Sequence, residues 1–209
     1  MNFFDYDSPL SVAIRNLVEL FVLNICFCLC CVPVVTVGAA VTALYQVFLS
    51  KNETGNVIGR FFSALRSNFL KATVIWLIIL AVGVLLGASW IAVFTVSFPG
   101  RGIFRILLIF CTVLYLSASG FAFALQARYE NRLKQTLRNA LIFGTIGIIH
   151  GALAAAISFF PVVIFFFAID WMAVVLSVWI PLGGALSCRI NAWIYSVVFH
   201  QIDKMMVQE

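Results

Sequence analysis

The chain has 209 residues, 64% of them hydrophobic and 10% charged, with a mean hydropathy of +1.11. Soluble domains sit near about 45–50% apolar and about 25% charged, so a water-soluble fold is excluded and lipid is the implied solvent. The net charge of +5 does not point to nucleic acid, because the basic residues fall between apolar runs, which is a topological pattern.

Asp7-Ser8-Pro9 supplies a capping residue and a proline at the first helical position, where its missing N–H is no loss. A helix is expected to start there. No basic region precedes the first apolar run and no small-residue cleavage site follows it, so the N-terminus is expected to be retained. From Leu10 to Leu49 the chain is apolar apart from Arg15, Glu19 and a few neutral polar side chains. As one helix this stretch would run about 60 Å, twice the hydrocarbon layer of about 30 Å. Pro33 and Gly38 stand near its middle, so two helices joined by a tight apolar turn are expected, the second of them short and ending near Ser50. Cys26, Cys28, Cys30, Cys31, Cys111 and Cys188 all lie in apolar stretches, where cysteine serves as a small apolar residue. On a helix only Cys26 and Cys30 share a face, and no nearby histidine or carboxylate completes a tetrahedral shell, so no metal site is read.

Lys51 to Asn56 is a polar break. After it, Ile58, Phe61, Phe62, Leu65 and Phe69 repeat at helical spacing while Arg60, Arg66 and Lys71 point elsewhere, which describes an amphipathic helix at the membrane surface, against a solvated loop. Ala72 to Phe98 is the third spanning stretch, closed by the turn Pro99-Gly100-Arg101-Gly102, and Ile103 to Leu125 is the fourth. A second basic stretch follows, with Arg128, Arg132, Lys134 and Arg138; apolar sequence from Ala140 to Ile169 makes the fifth span. Asp170-Trp171 breaks it from a sixth, Met172 to about Phe199. The fold class is thus an all-α transmembrane bundle of one domain, 1–209, with six spans, or five if the first stretch does not turn. Lys and Arg collect in the two basic stretches, which puts both in the cytoplasm with the N- and C-termini, and they can also meet anionic lipid there. Arg101 and Arg105 lie outside, against that rule but outnumbered. The likeness of Leu65-Arg66-Ser67-Asn68 to Leu137-Arg138-Asn139 is too slight to make a repeat.

Asp7-Ser8-Pro9-Leu10, the turn Pro33 to Ala40 leading to Ala43-Leu44-Tyr45, the run Phe61-Phe62 to Asn68-Phe69, and Ala127-Arg128-Tyr129-Glu130-Asn131 with Asn139-Ala140 together resemble the YesL-like family of bacterial membrane proteins, whose function is unknown. The resemblance runs the length of the chain. It implies a Gram-positive plasma-membrane protein whose relatives are often encoded near carbohydrate ABC transporters. It implies no catalytic residue.

Ionisable groups inside a membrane cost about 2.5–3.5 kcal/mol at a helix centre on insertion scales and are functional candidates for that reason. Arg189 and Asn191 lie about ten residues, or ~15 Å, from the end of the last span. Arg189 could bind an anion, pair with Glu19, snorkel, or contact a backbone carbonyl. His150 stands in the fifth span between glycines, as a packing residue or half of a proton relay. Arg15 and Glu19, four apart, are expected to pair. A phosphate-cradling glycine loop, a His-Glu-x-x-His helix and a Gly-x-Ser-x-Gly elbow are all missing from the sequence, so neither an enzyme nor a cofactor is expected. Two functions remain in view. The leading one is an accessory or scaffold component of carbohydrate uptake, partnered by an ABC transporter or by copies of itself. The other is a small-molecule transporter or channel with a site near the bilayer midplane.

Overall fold

Proline suits the first turn of a helix, and the first helix begins at Pro9. In the computed structural model, residues 9–50, 56–97, 99–129, 132–167, 173, 177 and 179–207 are described. The expected cap at Asp7-Ser8, the residues at Glu130 and Asn131, Lys51 and the Asp170-Trp171 break lie outside them. The helices are α1 (Pro9–Cys31), α2 (Val37–Leu49), α3 (Val57–Thr95), α4 (Arg101–Arg128), α5 (Leu133–Ile146), α6 (Ile148–Phe167) and α7 (Gly184–Val207). A 3-10 turn, Val34–Thr36, precedes α2, and a π-helical turn, Trp179–Gly183, precedes α7. The fold is an all-α helical bundle, with no strand among the described residues.

The chain turns back at Pro33 as its sequence requires. The Thr36 hydroxyl donates to the carbonyls of Pro33 and Cys30, holding the end of α1 against the start of α2. Beyond the turn, α2 has 13 residues, about 20 Å at helical rise, which is short of the ~30 Å hydrocarbon layer. Its tip also lies beside the middle of α3, where Trp76 Nε1 donates to the Val34 carbonyl at 2.8 Å. The helix is a core element: Ala39, Ala40, Ala43, Leu44 and Tyr45 are all buried. Gly38 makes this possible, since a Cβ there would stand 2.5 Å from Trp76 Cβ and 2.7 Å from the Ala72 carbonyl oxygen.

After the polar break Asn56 caps α3, its side chain accepting from the Gly59 amide at 3.1 Å. The separate surface helix expected over residues 57–71 is instead the first part of one unbroken helix of 39 residues. No proline or glycine interrupts the chain between Arg60 and Ala72, so the helix propagates, with Phe61 and Ala64 buried and Arg66 and Lys71 exposed. The turn to α4 uses Gly100 at φ 85, in the left-handed region.

The fifth stretch also differs from expectation. Its helix begins at Leu133, inside the basic stretch, and is bent by 100° between Ile146 and Ile148. Small residues let α5 press onto α4 here: the Ser117 hydroxyl donates to the Gly144 carbonyl at 3.0 Å, and a Cβ on Gly144 would lie 2.9 Å from Ala118 Cα. Close approach of small residues is the usual basis of helix association in lipid. By length and composition three helices (Leu10–Cys31, Val57–Thr95, Arg101–Arg128) suffice to cross a membrane, or four if the bent pair counts as one span. The stretch 172–178 falls largely outside the described residues, so six spans are not established.

The centre of the bundle is aromatic. Phe121 lies 4.6 Å from Tyr195 and 6.2 Å from Phe199, centroid to centroid, and Tyr195 meets Tyr45 edge-on at 5.8 Å. Beside it a chain of amides joins four helices. Asn68 donates to Gln46 at 2.7 Å, Gln126 donates to Asn68 at 3.1 Å, and Thr136 donates to Gln126 at 3.2 Å. Pro181 lies in the π-helical turn before α7. There the buried Asn24 side chain of α1 accepts from the Ala185 amide at 2.8 Å, capping the new helix from outside.

Candidate functional site

At one end of the bundle the first half of α1, the end of α2, the start of α3, the end of α4 and the middle of α7 enclose a cleft of about 620 Å³. Its charged and titratable lining is Glu19, Arg60, Arg128, Arg189 and His200, and its walls include Leu20, Leu23, Val47 and Trp193. Two helices supply most of it through their periodicity. On α7, Arg189, Trp193, Ser196 and His200 follow at i, i+4, i+7 and i+11, one stripe about 16 Å long. On α1, Asn16, Glu19, Leu20 and Leu23 follow at i, i+3, i+4 and i+7. The cleft therefore reaches from the end of the bundle, at Arg128 and His200, towards its middle, at Arg189.

Each cation is held differently. Arg60 donates to the Val47 carbonyl at 3.2 Å, which ties the start of α3 to the end of α2. Arg128 is paired with Asp203 at 2.7 Å, both side chains about a third exposed, and its guanidinium lies 4.9 Å from the Phe199 ring centroid and 5.3 Å from that of Tyr129. Tyr129 adds a hydrogen bond to Asp203 at 3.4 Å. Burial pushes the Tyr129 phenol up, Arg128 opposes the rise and Asp203 adds to it, so it remains a neutral donor. Arg189 and Glu19 line the cleft, but neither makes a hydrogen bond or an ion pair among the described residues. Arg15, which the sequence pairs with Glu19, does not line the cleft.

Of the four expected intramembrane polar residues, the structure brings together Arg189 and Glu19. Asn191, two residues from Arg189 and so on the far face of α7, is buried and donates to the Ser158 hydroxyl of α6 at 2.9 Å. His150 is half-buried near the start of α6 and does not line the cleft. Arg60 and Arg128, read from the sequence as surface charges, are cleft residues, whereas Arg66, Lys71, Arg132, Lys134 and Arg138 are exposed outside it. Sequence reasoning misses Asn16, Trp193, Ser196 and His200; the polar stripe on an otherwise apolar α7 is the signal that finds them. The six cysteines are free thiols, and among the described residues no three His, Cys, Asp or Glu side chains are placed to hold a metal ion.

Residues 20–90, from the middle of α1 to late in α3, match a family described as a protein of unknown function, DUF624. No curated protein and no solved structure matches the chain. The match includes Leu20, Leu23, Val47 and Arg60 of the cleft and leaves α7 beyond it.

Proposed function

We propose that this chain is a membrane protein that binds a small polar solute in the cleft between α1 and α7, as a transporter or channel. The observation that carries this reading is that Arg189 and Glu19, without partners among the described residues, face one cleft in a chain with so few charges. A volume of about 620 Å³ suits a small molecule, since such sites occupy about 300–1,000 Å³. The bend at Gly147 and the π-helical turn before α7 are broken helices of the sort that accompany solute sites in membranes. The plasma membrane is the proposed location, with the cleft opening to the cytoplasm beside both basic stretches and both termini, as the Lys and Arg distribution requires.

The test is water access. In a variant whose native cysteines are replaced, Ser196→Cys should react rapidly with a charged maleimide in inside-out vesicles and slowly in intact cells. An unreactive cysteine in both preparations rejects the cleft, and reaction from the cell exterior alone inverts the orientation.

The accessory role in carbohydrate uptake is the second reading, supported by the YesL-like resemblance and by α5. That helix buries Thr136, Ala140 and Gly144 and exposes Lys134, Gln135, Arg138 and Leu141, an outward face suited to a partner. Co-purification in mild detergent decides it. Recovery of a sugar transporter with wild type and not with Lys134→Glu/Arg138→Glu supports the role, and equal recovery removes it.

A further inference from the structure

The cleft's charge is one-sided. Among the described residues three arginines and a histidine line it, with Glu19 as the one carboxylate, and Arg128 already has a partner carboxylate in Asp203. Arg60 donates to the Val47 carbonyl, while Arg189 lines the cleft with no partner among the described residues. A site built this way selects for negative charge.

Its geometry narrows the class of anion. A carboxylate has two oxygens in one plane, and a single arginine fork can satisfy both. Here cations from three helices, α3, α4 and α7, line one cleft. A tetrahedral phosphate presents oxygens in several directions, to an arginine and to neutral donors beside it. Around them Asn16 and Ser196 offer hydrogen bonds, and Leu20, Leu23 and Trp193 offer an apolar wall, so the rest of the ligand is an organic body rather than bare ion. We propose that the cleft takes a phosphate ester, its phosphate on Arg189. The proposal rests on the cleft being a binding site. Two sources carry this chemistry, the headgroup of an anionic phospholipid and a soluble phosphate ester.

Glu19 gives the proposal a second, independent handle. A carboxylate in the wall opposes a bound anion, so replacing it with the amide should strengthen anion binding, the reverse of what removing an arginine does.

The experiment uses full-length protein in nanodiscs of phosphatidylcholine, with radiolabelled inorganic phosphate as probe, and repeats it in discs containing phosphatidylglycerol. In phosphatidylcholine, saturable binding is expected. Arg189→Gln should weaken it at least tenfold, Arg189→Lys by less, and Glu19→Gln should strengthen it severalfold. Arg138→Gln, outside the cleft, should leave it within twofold. Unchanged phosphate binding in phosphatidylglycerol discs identifies a soluble ligand. Its loss there, together with phosphatidylglycerol retained by wild type and not by Arg189→Gln in native mass spectrometry, identifies the lipid headgroup.

Absence of saturable phosphate binding in phosphatidylcholine, without Arg189-dependent lipid retention, overturns the proposal. Should Arg189→Gln fail to fold, Glu19→Gln decides: unchanged or weakened binding overturns it as well. Water access at Ser196→Cys separates the two failures. A reactive cysteine without phosphate binding ends the phosphate assignment and leaves the cleft, whereas an unreactive one ends both.

Discussion

The lower bundle and the upper arm of α3 and α4 share an apolar composition and are built on opposite rules. In the lower bundle the contacts are made by small residues, amides and aromatic rings: Ala43, Ala122, Gly144, the Gln46-Asn68-Gln126-Thr136 chain, and the cluster of Phe121, Tyr195 and Phe199. In the arm, among the described residues from 80 to 112, only Val93 and Leu108 are buried, while Val84, Leu85, Ile91, Ile103 and Ile106 are exposed. Where lipid is as apolar as leucine, bulk hydrophobicity does not draw helices together, and close approach and hydrogen bonds do. Large aliphatic residues are left on the outer surface.

This contrast breaks most sharply at two glycines of α2 and α3. Gly38→Leu must drive a side chain into Trp76 and the Ala72 carbonyl, and overpacking of that kind costs about 1–3 kcal/mol or more. Gly87→Leu in the arm meets nothing within 4 Å and gains helix propensity. Melting curves in detergent should show the first protein strongly destabilised and the second unchanged or improved; equal losses would erase the distinction between the regions.

Next in size is the amide chain. Gln126→Leu leaves the Asn68 side-chain oxygen without its donor and the Thr136 hydroxyl with only the Arg132 carbonyl, 3.4 Å away, at about 1–3 kcal/mol. In the arm, Thr112→Val removes the acceptor of Trp90 Nε1, 3.1 Å away, and should cost nearer ~0.6 kcal/mol, the average for hydrogen bonds in a membrane bundle. Chemical denaturation of the two variants side by side measures the difference, and a larger loss for Thr112→Val contradicts it. The smallest effect belongs to Asp203→Asn. Its pair with Arg128 is about a third exposed, so after solvent screening it is worth ~0–1 kcal/mol. A loss above about 2 kcal/mol would show that the pair is dry.

The helices and their breaks are legible in the sequence where proline, glycine or asparagine marks them: Pro9, Pro33, Asn56 and Gly100 each stand where a helix starts or the chain turns. The division of α3 at Lys71 rests on polarity alone, and polarity does not break a helix. The bend after Ile146 is hidden because one glycine among several in an apolar run looks like packing; a contact with α4, invisible to local reading, selects Gly147. Two residues of the cleft, Arg189 and Glu19, follow from isolated charges in apolar runs. The rest depends on reading α7 as stripes and on letting Arg60 and Arg128, whose charge serves topology, face inward at helix ends.

Those stripes give the account its most direct test. On α7 three environments alternate: Arg189, Ser196 and His200 face the cleft, Leu186, Ile190 and Val197 are exposed on the apolar surface, and Tyr195, Val198 and Phe199 are buried. Single cysteines placed at each position in a cysteine-free background, treated with a charged maleimide in inside-out vesicles, should react at 189, 196 and 200 and stay protected at the other six. Reaction at 186, 190 and 197 instead, or protection throughout, would mean that no water-filled cleft lies between α1 and α7.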